Sequence, residues 1–295
     1  MRKLTIPCLV AAFVAGACGD KHPRSGDANA AEVTTASPES ASVTAPTSPS
    51  ATGPVSFADA KAAYAGKRYD ESVRLLTTYT TEHPDNVWGY YMLGLSAWKA
   101  GDRDAAASAL RLAIEKDSTH VKSRLNLTRV LIEQGKATEA LPQVEAALRI
   151  DSTSNEVYRL LGRVKDELGD PASATEAFQR AIVLDPSDVW SMNNLAWLFI
   201  GQHQFDAALG PLARAIELDS SVATFQNNLG IALEGTGRVV QAASAYRSAL
   251  AIDSAYRKAT VNLARVDGRT QDPAITPVDL NTLAHSFVEQ VKTWR

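Results

Sequence analysis

A period of 34 residues runs through most of this 295-residue chain. A step of that length from Leu161 reaches a leucine on both sides, and the full column is Leu93, Leu127, Leu195, Leu229 and Leu263. The same step from Asp185 reaches Asp117, Asp151, Asp219 and Asp253, and from Gly162 it reaches the mostly small Ala60, Gly94, Thr128, Ala196, Gly230 and Ala264. A fixed period of this size is the signature of a repeat array, so the chain is predicted to form one elongated stack.

Each period predicts two short helices. In the unit 155–188, apolar residues at three- and four-residue spacing mark a first helix, and Gly169-Asp170-Pro171 ends it and starts a second. Glycine ends helices readily, aspartate caps the next one, and proline suits its first turn. Ala174 and Phe178 belong to the apolar stripe of the second helix. A pair this short cannot bury its own apolar faces, so it requires copies of itself on both sides.

These columns resemble the tetratricopeptide repeat (TPR) family: an aromatic residue, then Leu-Gly, then two alanines and a large residue, then Asp-Pro. The resemblance implies an all-α, right-handed superhelical solenoid of antiparallel helix pairs. It places six repeats at 55–256, followed by a seventh first helix and a C-terminal capping helix at 257–295. The sequence departs from the family pattern where serine replaces the last proline, at Ser118, Ser152, Ser220 and Ser254.

The capping helix is predicted from Thr276-Pro277-Val278-Asp279, which has the residues of a helix start with Thr276 as the cap. Apolar residues follow at helical spacing, at Leu280, Leu283, Phe287, Val291 and Trp294. We expect this helix to cover the open face of the helix at 257–266, because repeat arrays need a cap to stay soluble. The alternative is an amphipathic helix that binds a partner.

The first 54 residues are predicted to lie outside the solenoid. Residues 1–17 have a short basic head and an apolar run, which is typical of a secretory signal. Ala15-Gly16-Ala17-Cys18 resembles the lipobox of bacterial lipoproteins, and this implies a lipid on Cys18; the alternative is an ordinary signal peptide cut near Ala17. Residues 18–54, rich in Ala, Ser, Thr and Pro, are predicted to be a disordered tether. Because Gly19 follows the cysteine, resemblance to lipoprotein sorting implies the periplasmic face of the outer membrane in a diderm envelope.

Composition and motifs argue against several function classes. The net charge of −3 and the lack of a basic stripe argue against nucleic-acid binding. The five histidines are scattered without metal-ligand spacing, and the sequence has no glycine-rich phosphate loop or nucleophile elbow. We therefore expect no catalytic residues, metal, cofactor or small-molecule substrate, and a protein that is not an enzyme.

In the TPR family the first helices line the concave face, and that resemblance names two sets of candidate peptide-binding residues. One is an asparagine ladder, in which amide side chains hold the backbone of an extended peptide regardless of its sequence; it consists of Asn126, Asn194, Asn228 and Asn262. The other is aromatic, since tryptophan and tyrosine anchor many interfaces; it consists of Trp88, Tyr91, Trp98, Trp190 and Trp197. The alternatives are that asparagine is simply common in this column and that the aromatic residues pack against neighbouring repeats.

A charged belt lies between the two aromatic groups, and its arginines are Arg129, Arg159 and Arg163. The Lys/Asn/Arg pattern of the chaperone-tail clamp in some family members is not found. Together these features predict a lipid-anchored scaffold of the cell envelope that binds a protein or an extended peptide in its groove. Its expected role is to assist assembly of an envelope machine, as in the similar pilus-biogenesis lipoproteins. The alternatives are an adaptor for cell-wall or outer-membrane assembly machinery and a glycan-binding groove.

Overall fold

The computed structural model describes residues 55–294, so the predicted signal segment, Cys18 and the tether lie outside the described part. Within it there are fourteen α-helices and no strand. In chain order the helices span Phe57–Ala65 (α1), Tyr69–Glu82 (α2), Val87–Lys99 (α3), Arg103–Lys116 (α4), Val121–Glu133 (α5), Ala137–Ile150 (α6), Asn155–Glu167 (α7), Pro171–Leu184 (α8), Val189–Gly201 (α9), Phe205–Leu218 (α10), Ala223–Gly235 (α11), Val239–Ile252 (α12), Arg257–Val266 (α13) and Leu280–Lys292 (α14).

The helices form six consecutive hairpins, α1–α2 to α11–α12, and α13 adds a seventh first helix. Each helix from α1 to α12 packs against the next one along the chain. The tight turns within the hairpins need a left-handed residue, and Gly169 supplies it with φ 75°. Lys67 and His203 take the same conformation at φ 56° and 59° without the freedom of glycine. The predicted all-α repeat solenoid is confirmed.

The column of small residues has a packing cause. A Cβ atom added to Gly162 would lie 2.6 Å from the ring of Phe178, and one added to Gly230 would lie 2.4 Å from the ring of Tyr246. These aromatic rings belong to the second helix of the same repeat and are buried. The missing side chain therefore lets the two helices approach closely in these two hairpins.

The stack curves with its first helices on the inner side. Each first helix touches the first helix of the next repeat, from α1 against α3 to α11 against α13. Among the described helices, consecutive second helices have no comparable direct packing. The first helices therefore pack side by side. Their faces that point away from the second helices form the inner surface of the array.

The C-terminal segment corrects two expectations. Helix α14 begins at Leu280 with Asp279 as its cap, whose Oδ1 accepts from the Asn281 amide at 3.1 Å, so the expected cap at Thr276 is wrong. The helix lies against α10 and α8, so the expectation that it covers α13 is also wrong. Gly210 on α10 permits this path, because even a Cβ there would lie 3.3 Å from the Cβ of Phe287.

The segment between α13 and α14 is fixed to the N-terminal part of α12. Arg238 Nε donates to the Thr276 carbonyl at 3.2 Å. Gln241 both donates to the Val278 carbonyl, at 2.8 Å, and accepts from its amide, at 2.9 Å. Phe287 and Val291 of α14 are buried in a core cluster that includes residues of α8, α9 and α10. None of the helices in residues 55–294 is long and apolar enough to cross a membrane.

Candidate binding surface on the first helices

An aromatic cluster occupies the N-terminal half of the inner surface. The rings of Trp88 and Tyr91 on α3 lie 5.5 Å apart, edge to face, and His120 lies 4.8 Å from Trp88 and 5.2 Å from Tyr91. Lys122 Nζ lies 5.7 Å from the Trp88 ring. Trp88 is nevertheless 49% exposed, and no other Trp, Tyr or Phe residue in the described part of the chain is as exposed. Trp88 is therefore positioned to contact a partner.

Hydrogen bonds hold this cluster to the next first helix. Asn126 Nδ2 donates to the Tyr91 hydroxyl at 3.3 Å, and Arg129 donates to Asn126 Oδ1 at 2.8 Å. Arg129 also forms an ion pair with Glu156 on α7. Burial raises the pKa of Tyr91, so its hydroxyl stays protonated at neutral pH. Asn126 and Arg129 thus orient the tyrosine ring and connect three repeats.

His120 is a member of the cluster that sequence reasoning missed. It caps α5, and its Nδ1 is paired with Ser123 Oγ at 2.7 Å. Its Nε2 is buried without a hydrogen-bond partner, and burial lowers its pKa. The imidazole is therefore neutral at pH 7 and acts as an aromatic surface beside Trp88. The turn before α5 carries no sequence signal that would have singled it out.

Trp98 is held apart from the other two aromatic residues of α3. Its Nε1 donates to Glu133 Oε2 at 3.0 Å, and Arg103 donates to the same oxygen at 2.8 Å. The ring is half-buried and packs against the core of the N-terminal repeats. The structure therefore places Trp98 mainly in contacts between repeats.

Trp190 and Trp197 are also half-buried. Trp190 packs edge to face on Phe225 of the next repeat, with ring centroids 5.1 Å apart. Trp197 packs against the core formed by α9 to α12. Both therefore support the stack of the C-terminal repeats, and only part of each ring remains for a ligand.

Arg159 is committed to a structural ion pair. It donates to Asp188 Oδ1 at 2.6 Å, and Asp188 is buried at the start of α9. The same carboxylate caps the helix by accepting from the Ser191 amide at 3.1 Å and from its hydroxyl at 2.7 Å. Arg159 therefore ties α7 to α9.

Arg163 has no comparable partner. Its side chain is 4% exposed, and its Nε has no hydrogen-bond acceptor. Burial lowers its pKa to about 10, and Arg129 adds to this effect, whereas Glu167 and Glu133 oppose it. A buried guanidinium is normally paired, so the position of Arg163 on α7 is unusual.

The asparagine ladder is mostly interior and is joined through residues outside the predicted column. Asn262 donates to Asn227 Oδ1 at 2.9 Å, Asn227 to Asn228 Oδ1 at 3.3 Å, and Asn228 to Asn193 Oδ1 at 2.9 Å. We call these four residues the amide chain. Asn194 lies outside it and is 6% exposed. Sequence reasoning missed Asn193 and Asn227, although the repeated Asn-Asn pair at 193–194 and 227–228 was a visible signal.

A charged network joins α11, α12 and α13 at the C-terminal end of the array. Arg265 on α13 makes two hydrogen bonds to Glu234 on α11, at 2.8 and 2.7 Å. Tyr246 donates to the same carboxylate at 2.9 Å. These bonds lower the pKa of Glu234, with the Arg265 contact as the largest cause. In residues 55–294, no cluster of three or more His, Cys, Asp or Glu side chains has a geometry that could hold a metal ion.

The helix pairs and their aromatic, amide-rich inner surface define a helical repeat protein suited to protein–protein interaction. The sequence profile of the tetratricopeptide repeat matches residues 57–121, 91–155, 125–189 and 193–257, which together span more than half of the chain. The chain belongs to the tetratricopeptide repeat family.

Individual relatives cover only parts of the chain. Human tetratricopeptide repeat protein 7B is 35% identical over 97 residues, which is 33% of this chain and 12% of that protein. The cellulose synthase operon protein C of Escherichia coli K12 is 30% identical over 123 residues, 39% of this chain and 10% of that protein. A tetratricopeptide repeat protein from Parabacteroides merdae superposes with a TM-score of 0.60 at 12% identity, over 70% of this chain and 81% of that one. At 12% identity, the superposition on the Parabacteroides merdae protein shows a shared fold and nothing beyond it.

Proposed function

We propose that this protein is a non-enzymatic scaffold that binds an extended segment of a partner protein on the inner surface of its first helices. The observation that carries the proposal is the exposure of Trp88, 49%, within a rigid cluster of three aromatic rings. An exposed tryptophan held in place by its neighbours loses little side-chain entropy on binding. Such residues supply much of the affinity at interfaces.

In this proposal the partner segment is anchored by Trp88 and not by the asparagine ladder. The amides of Asn228 and Asn262 are engaged with Asn193 and Asn227, so they have less capacity left for a peptide backbone. Trp190 and Trp197 flank the other end of the surface and contribute the exposed parts of their rings. The partner segment therefore crosses the first helices with its main anchor at α3.

The proposed location is the cell envelope, with the chain attached by a lipid on Cys18 and facing the periplasm from the outer membrane. The support is the sequence Ala15-Gly16-Ala17-Cys18 together with the segment rich in Ala, Ser, Thr and Pro that follows it, which is predicted to be a tether. In this arrangement the scaffold assists assembly of an envelope machine. The solenoid itself would stand clear of the membrane at the end of the tether.

A second candidate is an adaptor for machinery that builds an envelope polysaccharide. The supporting observation is the similarity to the cellulose synthase operon protein C over 39% of this chain. In that case the ligand on the inner surface is a protein subunit of the machinery, and a glycan is the other possible occupant. Competition with cellobiose tests the glycan alternative. Cellobiose should displace the partner from Trp88 only if the surface binds sugars.

Selection of short extended peptides from a displayed library on the purified protein tests the proposal. Trp88→Ala should weaken the selected peptides at least about tenfold, because an anchoring tryptophan contributes about 2 kcal/mol or more. Leu112→Ala is the matched control, since Leu112 is an exposed apolar residue, 39%, on the second helix α4. Equal losses in the two variants, or no selectable peptide, would contradict binding at this surface.

A further inference from the structure

A cavity of about 470 Å³ lies between the first two repeats, and its lining is rich in cations. The lining comes from the turn that joins α1 to α2, the start of α2 and the end of α3, and its cationic residues are Lys67, Arg68, Arg74 and Lys99. The volume falls within the roughly 300–1,000 Å³ that small-molecule sites occupy. The cavity is separate from the proposed partner surface, because Trp88 and Lys99 lie at opposite ends of α3.

The lining carries an excess of positive charge. Arg68 is paired with Glu71, with 2.6 Å between Nε and Oε2. The other three lining cations are exposed and form no ion pair with any residue in 55–294, and they are Lys67, Arg74 and Lys99. Asp70 is the second carboxylate of the lining. Four cations against two carboxylates give the cavity a net charge of +2.

Lys67 takes a backbone conformation that is unfavourable for lysine. Its φ is 56°, in the left-handed region. Four of the other five hairpin turns place a glycine with positive φ at this position, and these are Gly101, Gly135, Gly169 and Gly237. A residue with a Cβ is strained there, and glycine would relieve the strain. The first turn therefore keeps a lysine in the cavity where the repeat itself favours glycine.

Gly66 makes room for a second cation in the same turn. Its φ is −77°, so the backbone does not require glycine here. A Cβ at this position would lie 2.5 Å from Arg68 Nη1. The corresponding residues of the later turns all have side chains, and they are Ala100, Gln134, Leu168, Gln202 and Thr236. The first turn thus differs from the others at both positions, and both differences favour cations in the cavity.

We propose that this cavity binds a phosphate monoester through Lys67, Arg74 and Lys99. A monoester carries a charge of about −1.5 to −2 at neutral pH and three acceptor oxygens, which matches the net charge of the lining. A carboxylate or a phosphate diester carries one negative charge and would leave part of the positive charge unmatched. Tyr69, whose ring lies 5.5 Å from that of Tyr64, offers an apolar surface to the carbon part of the ester.

A ligand in this cavity joins the first two repeats, because its cations come from the α1–α2 hairpin and from α3. A ligand that binds only the folded state stabilises that state. Glycerol 3-phosphate should therefore slow hydrogen exchange of the amides in α1 and α2. Lys67→Gly should remove this effect, and exchange that does not respond to the ester in the wild type would contradict binding between the two repeats.

The main test is calorimetric titration of the purified protein with glycerol 3-phosphate, supported by nitrogen-15 NMR of the backbone amides. Saturable shifts should appear at residues 67–71 and 99–100. Lys67→Gly should weaken binding at least about fivefold, since it removes a charged contact, and should not lower the midpoint of urea unfolding. Equal affinities of the wild type and Lys67→Gly, or shifts that do not saturate, would overturn the proposal.

Two control variants separate the site from general effects. His203→Gly makes the same backbone change in a turn outside the cavity. Arg180→Gln removes an exposed cation of α8, also outside it. Both variants, and Trp88→Ala at the partner surface, should bind glycerol 3-phosphate as the wild type does. If Arg180→Gln weakens binding as much as Lys67→Gly, the attraction is only the overall charge of the protein and the assignment fails.

Further ligands identify the phosphate group and its source. Glycerophosphoglycerol, a diester, should bind more weakly than glycerol 3-phosphate, and equal binding would overturn the assignment to a monoester. Phosphatidylcholine vesicles with and without phosphatidic acid distinguish a lipid from a free ester. Retention that requires both phosphatidic acid and Lys67 would support a lipid monoester, whereas binding of glycerol 3-phosphate without retention would support a soluble one. Peptide binding at Trp88 is measured independently, so either proposal can fail while the other stands.

Discussion

Asn228 donates its side-chain amide to Asn193 Oδ1 at 2.9 Å, across 35 residues of sequence. The bond is one residue longer than the 34-residue period, so it joins adjacent columns of the repeat instead of running along one. Asn262 to Asn227 repeats the relationship one hairpin later, and Asn126 to Tyr91 shows it between α5 and α3. Three members of the asparagine column, Asn126, Asn228 and Asn262, therefore form hydrogen bonds between successive first helices.

The first prediction concerns the amide chain. Asn227→Ala should lower the free energy of unfolding by about 1–3 kcal/mol, because it removes the partners of both Asn228 and Asn262 in a buried position. Urea denaturation followed by circular dichroism measures the change. Asn281→Ala, at an exposed position on α14, is the control and should change stability by less than about 0.5 kcal/mol. If Asn227→Ala and Asn281→Ala changed the free energy of unfolding equally, the amide chain would contribute nothing to stability.

The second prediction concerns the last helix. Phe287→Ala should cost about 3–5 kcal/mol, because Phe287 is 2% exposed and packs against the core that includes α8 and α9. Hydrogen exchange should show lost protection in α8 and α10, while α13 stays close to the wild type. Gln290→Ala on the exposed face of α14 is the control. Loss of protection confined to α13 would contradict the described packing.

The third prediction is a pH dependence at the C-terminal end. The Arg265 contact lowers the pKa of Glu234 in the folded state, so the stability from this pair is present above the ordinary glutamate pKa. It is lost as pH falls from about 4.3, the unfolded value, through the lower folded pKa. Urea melts at a series of acidic pH values should show a steeper decline for the wild type than for Glu234→Gln. Parallel declines would mean that another carboxylate controls acid unfolding.

The fourth prediction concerns the proposed lipid anchor. Cys18→Ser should abolish incorporation of a tagged fatty acid in the living cell, because the thiol is the proposed attachment point. Metabolic labelling followed by gel fluorescence measures it. Cys8→Ser is the matched control, since that cysteine lies within the predicted signal segment. Equal labelling of the Cys18 variant and the wild type would exclude acylation at this position.

The repeat fold was predictable because its causes recur at fixed spacing. Gly162 and Gly230 face the rings of Phe178 and Tyr246 in the same way. The same packing requirement therefore produces the same residue type at corresponding positions of different repeats. Helix ends followed from local signals such as Asp170, which accepts from the Ser173 amide at 3.1 Å. Repetition made these signals clear even where single positions depart from the pattern.

The candidate site was less predictable because its contacts depend on side-chain geometry between repeats. The column containing Asn194 and Asn228 was visible in the sequence. The hydrogen bonds, however, join residues 35 positions apart, so comparing residues at the 34-residue period does not pair them. His120 lies in a turn, and only the folded chain places it on Trp88. Helix α14 occurs once, so the sequence showed its apolar face without showing that the face would meet α10.

The path of α14 changes how the array can unfold. A linear stack of repeats opens from either end, because each unit is held only by its neighbours. Helix α14 instead joins the end of the chain to α8 and α10, so α13 and the hairpins before it form a closed loop of contacts. Opening from the C-terminus must first detach α14, which makes the later repeats one cooperative block. The N-terminal hairpins, which carry Trp88, lack such a closure and can open locally while the block that holds the amide chain stays folded.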